Sequence, residues 1–198
     1  MSLQVMLSEP LLSRLFYIRL TPKKILCIST DDNIVKIVKS HYPTAAIDLL
    51  SPDNIKSLAI CDSQYDLIVS IFAFISGQDR KLSLAICHQA LKEKGLLLFV
   101  TLGPESYTPL LSKTHFIDMH HIGDDLKQLR FQDPVMDREE IELCYRDFEM
   151  LQKEAALLHV FITNDREKNA VKKQENYVVS LELLFGHGWK LEHTRASE

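Results

Sequence analysis

Glycine is scarce in this chain: 198 residues carry six, and the first is Gly77. Glycine lets the backbone approach a ligand closely where a strand turns into a helix, so the opening third holds no glycine-rich cofactor cradle. Cysteine is sparse too. Cys27, Cys61, Cys87 and Cys144 are scattered and make no C-x-x-C pair, a pattern of reduced, mostly buried thiols. Surplus positive charge is also missing. A net charge of −4 and a pI near 6.1 provide no basic field for nucleic acid or an anionic membrane. The apolar runs Leu67 to Ile75 and Leu96 to Leu102 fall far short of a bilayer span. Glu9 and Pro10 interrupt the apolar start, which lacks a basic region, so a signal peptide is not expected. A soluble, cytoplasmic chain folding as one domain over residues 1–198 is the expectation.

What is present is α/β alternation. Lys24-Ile-Leu-Cys-Ile-Ser29, Ala45-Ala-Ile-Asp-Leu-Leu50, Tyr65-Asp-Leu-Ile-Val-Ser-Ile-Phe72 and Leu96-Leu-Leu-Phe-Val-Thr101 read as four buried strands. Helical patterns separate them: Leu11 to Leu20, Asp32 to Ser40, a short helix opened by Ser51-Pro52, and Arg80 to Lys94 closed by Gly95. Continuous apolar strands between helices predict parallel pairing with both faces covered. Beyond Gly103 the pattern changes. Asp118 to Leu129 and Phe148 to Leu158 read as helices, while Glu140 to Tyr145 and Tyr177 to Phe185 alternate as half-covered strands should.

The first strand runs straight into Ser29-Thr30-Asp31-Asp32-Asn33 and then a helix. A helix N-terminus offers free N–H groups to a polar ligand, but Asp31, Asp32 and Asn33 are also good capping residues. Capping is the reading the residues favour. His115, His120 and His121 with Asp118 and Asp124 invite a metal site, yet adjacent histidines point to different faces, and none is assigned. No serine or cysteine sits in a glycine-flanked elbow, so nucleophile-elbow hydrolysis is excluded.

Phe99-Val-Thr-Leu-Gly-Pro-Glu-Ser106, Phe116-Ile-Asp-Met-His-His-Ile-Gly-Asp-Asp-Leu126, Arg130-Phe-Gln-Asp-Pro-Val-Met-Asp137 and Leu143-Cys-Tyr-Arg-Asp147 narrow the class. With Phe185-Gly-His-Gly-Trp189, they resemble the malonyl-ACP O-methyltransferases of biotin synthesis, within the class I S-adenosylmethionine methyltransferases. A related branch comprises assembly factors of respiratory complex I. The resemblance is specific from Leu96 to Asp147 and fold-level from Ile25 to Gly95. It implies a Rossmann-like α/β sheet, mostly parallel, with a C-terminal antiparallel pair and helices on both faces. It also implies S-adenosylmethionine as cofactor, held around Ser29, Thr30 and Asp31. Asp48 would take the ribose hydroxyls, Asp62 would stand in at the adenine, and the acceptor would lie near Thr101 to Tyr107.

Departures from that family qualify the activity. The first-strand turn lacks the family's glycines, and Ser51 to Gln64 is too short for a further helix and strand. The segment from Gly103 to Phe116 is abbreviated. Two functions are therefore expected. One is an O-methyltransferase acting on a carrier-bound malonyl carboxylate, with reduced or lost activity. The other is a non-catalytic interaction or assembly module on the same scaffold. Methyl transfer depends mainly on aligning the acceptor oxygen with the sulfonium carbon, so no catalytic side chain is assigned. The partners implied are an acyl carrier protein or another protein, and a second copy of the chain. Trimmed cover predicts that apolar residues near Phe72, Phe74 and Tyr107 lie partly open at the sheet's C-terminal edge, as a partner-binding patch would.

Overall fold

The computed structural model describes residues 3–60, 63–74, 80–111, 116–162, 165–173 and 175–191. β1 (Lys24–Ile28), β2 (Ala46–Leu50), β3 (Tyr65–Ile71) and β4 (Leu91–Leu102) are parallel. β5 (Phe131–Tyr145), the short β6 (Lys172–Lys173) and β7 (Asn176–Lys190) join antiparallel. Among the described residues the order is β2-β1-β3-β4-β7-β5, with β6 on β7. The expected α/β sheet with its antiparallel close is present.

Strand alternation sends successive side chains to opposite faces, so each apolar run supplies two cores. On one face Ile25, Cys27, Leu67, Val69, Leu98 and Val100 meet α1 (Leu3–Tyr17), α2 (Asn33–His41) and α5 (Phe148–Leu157). On the other, Leu26, Ile28, Ile68, Leu97 and Phe99 meet α3 (Arg80–Ala90), α4 (Met119–Gln128) and the 3-10 turn Pro52–Ile60. Arg80 and Asp125, both buried, pair across α3 and α4 through the Arg80 Nε–H at 3.0 Å.

Several expectations change. α1 starts at Leu3 rather than Leu11 and carries Pro10 inside it, because packing of Leu7, Leu11 and Leu15 outweighs the lost backbone N–H. α3 ends at Ala90, and Gly95 lies within β4 instead of closing the helix. A Cβ at Gly95 would come 2.8 Å from the Lys92 carbonyl oxygen, so close backbone approach is what requires glycine there. The left-handed residue is its neighbour Lys94, at φ 61°. β2 is not buried: it pairs with β1 alone, and Leu49 is 44% exposed. Phe72, Phe74 and Tyr107 are 1%, 3% and 0% exposed, which removes the apolar patch expected at that edge. Phe74 packs edge-on against Phe99, while Phe72 and Tyr107 join the core beneath α5.

That cover has a simple origin. β7 stays with β4 only to the Leu102–Leu183 pair, whereas the β5–β7 ladder continues to Tyr145–Tyr177. The ribbon overhangs the carboxyl edge of the parallel strands, and α5 follows it back across the sheet. Asp147 starts α5 by accepting from the Met150 N–H at 2.6 Å.

Candidate active site

From β1 the chain winds outward to β2, then crosses back to β3 on the other side of β1. In open α/β sheets this switch point leaves a crevice at the carboxyl ends of the strands, where ligands bind. Ser29 to Asn33 leaves β1 there, and Phe72 to Phe74 leaves β3.

The first turn is closed on itself. The Ser29 N–H donates to the Leu50 carbonyl at 3.0 Å, and the Ser29 hydroxyl accepts from the Asp31 N–H at 3.0 Å. Asp31 Oδ1 accepts from both the Asn33 N–H and the Asn33 side-chain amide at 2.9 Å. The helix N-cap, Asp32, makes no side-chain capping bond. Two amides that would face a ligand are thus committed to Ser29 and Asp31. From above, buried Gln4 of α1 accepts from the Ser29 hydroxyl at 3.3 Å and donates to the Leu157 carbonyl of α5 at 2.8 Å.

The other cofactor-binding residues read from the sequence are placed differently. Asp48 sits mid-strand and accepts from the Tyr65 hydroxyl at 2.9 Å, with Lys24 Nζ 3.4 Å away. Both partners begin their strands, so this carboxylate is engaged away from the crevice. Thr30 is exposed at the turn. Asp62 lies outside the described residues, as does His115.

A second turn, after β4, is clamped by β7. The Gly103 N–H donates to the Glu182 carbonyl at 2.8 Å, and the Tyr107 N–H donates to Ser180 at 2.8 Å. The Ser106 hydroxyl accepts from the Glu182 N–H at 3.0 Å. The Glu182 carboxylate, 5% exposed, accepts from the Glu105 N–H at 3.0 Å and lies 3.4 Å from the Arg138 guanidinium. It fills the space a Cβ at Gly103 would need. Nearby, the buried hydroxyls of Ser70 and Thr101 have no hydrogen-bond partner among the described residues. The sequence places the acceptor mouth at this turn but does not point to Glu182. Its only trace in the sequence is one carboxylate within the apolar run Leu181 to Phe185.

Elsewhere, Asp118 caps α4 by accepting from the His120 N–H at 2.8 Å and also bonds that ring at 2.7 Å. No group of three metal-binding side chains converges among the described residues. Burial pushes the Cys27 and Cys87 thiols up to about 12, leaving them unreactive at neutral pH. No helix among the described residues is long and apolar enough to cross a membrane.

The fold matches solved structures along nearly its whole length. The YcgJ protein of Bacillus subtilis superimposes with a TM-score of 0.59 at 13% identity, covering 93% of this chain and 98% of that one. A SAM-dependent methyltransferase from Archaeoglobus fulgidus gives 0.53 at 13% identity, covering 90% and 94%. The architecture is the Rossmann-like methyltransferase fold. No family model matches the chain. Sequence narrows the relationship. The chain is homologous to malonyl-[acyl-carrier protein] O-methyltransferases: it is 35% identical to enzyme 1 of Coxiella burnetii over 161 residues, 69% of this chain and 57% of that protein. The Gallionella capsiferriformans protein of that name is 31% identical over 163 residues, 69% and 56%. The chain spans little more than half the length of these curated relatives.

Proposed function

We propose that this protein carries the scaffold of an S-adenosylmethionine-dependent O-methyltransferase for a carrier-bound malonyl group, with methyl transfer reduced or lost. The kinship supports the cofactor, the carboxylate acceptor and an acyl carrier protein as partner. One observation carries the reduction: the turn after β1 spends its amides on its own Ser29 and Asp31 side chains. In this conformation the residues present do not fit the methionine end of the cofactor. The Ser29 and Asp31 side chains occupy the approach, and the Asp31 and Asp32 carboxylates would face the ligand carboxylate. Ser29, Thr30 and Asp31 border the site in this reading, and Asp48 is a tie between strands.

The non-catalytic alternative has its own support in the second turn. There Glu182 and Ser106 lock the acceptor mouth to β7 as a built structural unit. A calorimetric titration decides between full and degraded function. Weak or absent S-adenosylmethionine binding is expected, and saturable binding below about 10 μM, near −7 kcal/mol, refutes it. Thermal shift gives the same answer, since such a ligand at hundredfold excess stabilises the fold by about 2.7 kcal/mol.

A further inference from the structure

β5 runs 15 residues and pairs with β7 alone among the described residues, so one side of its backbone meets no strand. The pairing of β7 fixes which groups lie on that side. The Glu182 and Ser180 carbonyls turn toward the Gly103 and Tyr107 N–H groups, away from β5. Successive residues of a strand turn their N–H and C=O groups to opposite sides, so Leu181, Leu183 and Phe185 face β5. Their partners are Ile141, Glu139 and Asp137. Past the bulge between Gln132 and Val135, then, Met136, Arg138, Glu140 and Glu142 direct their backbone groups outward. Of these, the Arg138 N–H donates to the Asp137 carboxylate at 2.8 Å.

Such a row is a template for another strand, and its side chains set which strand. Asp137, Glu139, Glu140, Glu142 and Glu182 share Arg14, Arg138 and Lys173, five carboxylates to three cations. A second β5 laid against it would set one acidic run on another, and like charges opposite each other destabilise a sheet. A strand bearing lysine or arginine meets the surplus instead. On the α1 face, β5 also borders a cavity of about 410 Å³ lined by Ile18, Leu98, Val135, Phe185 and His187. Val135 lies on β5 and is 49% exposed, so the cavity reaches the edge strand. Peptides that add to a sheet edge draw affinity from main-chain bonds and selectivity from pockets for alternate side chains.

We propose that the outer side of β5, from Met136 to Glu142, is a docking strand for an extended basic segment of another protein, which pairs with the outward backbone groups and places an apolar side chain in the neighbouring cavity. The incoming strand displaces Asp137 from the Arg138 N–H, and its cations take up Glu140 and Glu142. Three strands separate this edge from the turn after β1, and no cofactor takes part.

The test uses the whole chain and a fluorescent peptide in which lysine alternates with valine around one phenylalanine. Glutamate-for-lysine and alanine-for-phenylalanine versions are the controls. By anisotropy the lysine peptide is expected to bind at least tenfold more tightly than the glutamate peptide and several-fold more tightly than the alanine one. Hydrogen exchange locates the binding. Amides of Met136, Glu140 and Glu142 are expected to slow on saturation, with those of Glu139 and Ile141, which face β7, unchanged. Glu140→Gln and Glu140→Pro remove the same charge, but only proline removes the outward N–H. Proline is expected to cost about fivefold more affinity than glutamine, the size of one hydrogen bond. If Glu140→Pro does not fold, the exchange pattern in wild type decides. Equal binding of the lysine peptide and either control overturns the proposal, as does binding without slowed outward amides or equal affinity in the two Glu140 variants. Outward amides already protected in a dimer of the free chain make a second copy the occupant and overturn it too. Cofactor binding enters none of these readouts, so the proposed function stands or falls separately.

Discussion

Two turns at the carboxyl edge of one sheet, with β3 between the strands they follow, close in opposite ways. The turn after β1 has no glycine and satisfies itself with Ser29 and Asp31. The turn after β4 keeps Gly103, and the vacant Cβ space is taken by the Glu182 carboxylate from a neighbouring strand. Gly186 and Gly188 follow the second pattern, with the Phe99 and Phe131 rings lying where their Cβ atoms would be. Among the described residues, these glycines yield room to the protein's own side chains. The turn where room would serve a ligand has none. At Gly103, Gly186 and Gly188 glycine stands where packing needs it, and the turn after β1 has none.

The largest expected effect tests the packing half of that contrast. Gly186→Ala drives a methyl group into Phe99, a fully buried ring held edge-on by Phe74. Overpacking of this kind costs about 1–3 kcal/mol, read by denaturant unfolding. Gly103→Ala must displace Glu182 from the Glu105 N–H and falls in the same range. Loss below about 0.5 kcal/mol in both, the level of an ordinary surface change, would end the comparison.

The binding half is tested by the reverse change. Ser29→Gly with Asp31→Gly removes the side chains that consume the turn's amides, at an entropic cost of about 1 kcal/mol per glycine or less. Cofactor affinity is expected to rise at least fivefold in a domain that stays folded. A folded double variant silent to millimolar ligand would move the defect to the Ser51 to Gln64 stretch.

A smaller effect concerns Asp48. With its carboxylate on the Tyr65 hydroxyl and beside Lys24, Asp48→Asn in the double-glycine background should leave affinity within twofold and cost under about 1 kcal/mol. Losing the affinity gain would restore Asp48 to the ribose.

The smallest effect is read against pH at the opposite edge of the sheet. Burial works to raise the Asp66 carboxyl, but the Lys92 ammonium and the Lys24 and Lys23 N–H groups outweigh it and hold the group below its usual range. A carboxyl depressed in the folded state contributes fully above its unfolded value, about 3.9, and loses that contribution as pH falls through the lower folded value. Asp66→Asn should therefore flatten the acid limb of the stability curve below about pH 4 and leave its shape near pH 7 unchanged.

Much of the sheet was legible because β1, β3 and β4 each hold a continuous apolar stretch (Ile25 to Ile28, Leu67 to Val69, Leu96 to Val100), the mark of strands covered on both faces. β2 misled for the same reason: Ala-Ile-Asp-Leu-Leu is apolar enough to look central, yet it takes an edge position. The expectation of trimmed cover failed, because α5 and an α1 reaching back to Leu3 bury Phe72 and Tyr107. That depends on the overhang of β5 and β7, and a strand's length past its neighbour leaves no mark in its own alternation. The missing glycines marked the turn after β1, which closes on its own Ser29 and Asp31 side chains. Gln4 was illegible, because one glutamine in Leu3-Gln-Val-Met-Leu7 reads as a helix position like any other.

β2 is the last strand on its side, so its outer backbone row has no partner within the described sheet. Such margins invite other strands, and proteins that persist with one keep it short; this one runs five residues. A margin is also where a sheet is separable. Taking a strand from the middle would break two ladders and both cores, whereas ending at β2 leaves every register from β1 to β5 intact. An architecture assembled from the centre outward can shorten at its rim and remain one folded object.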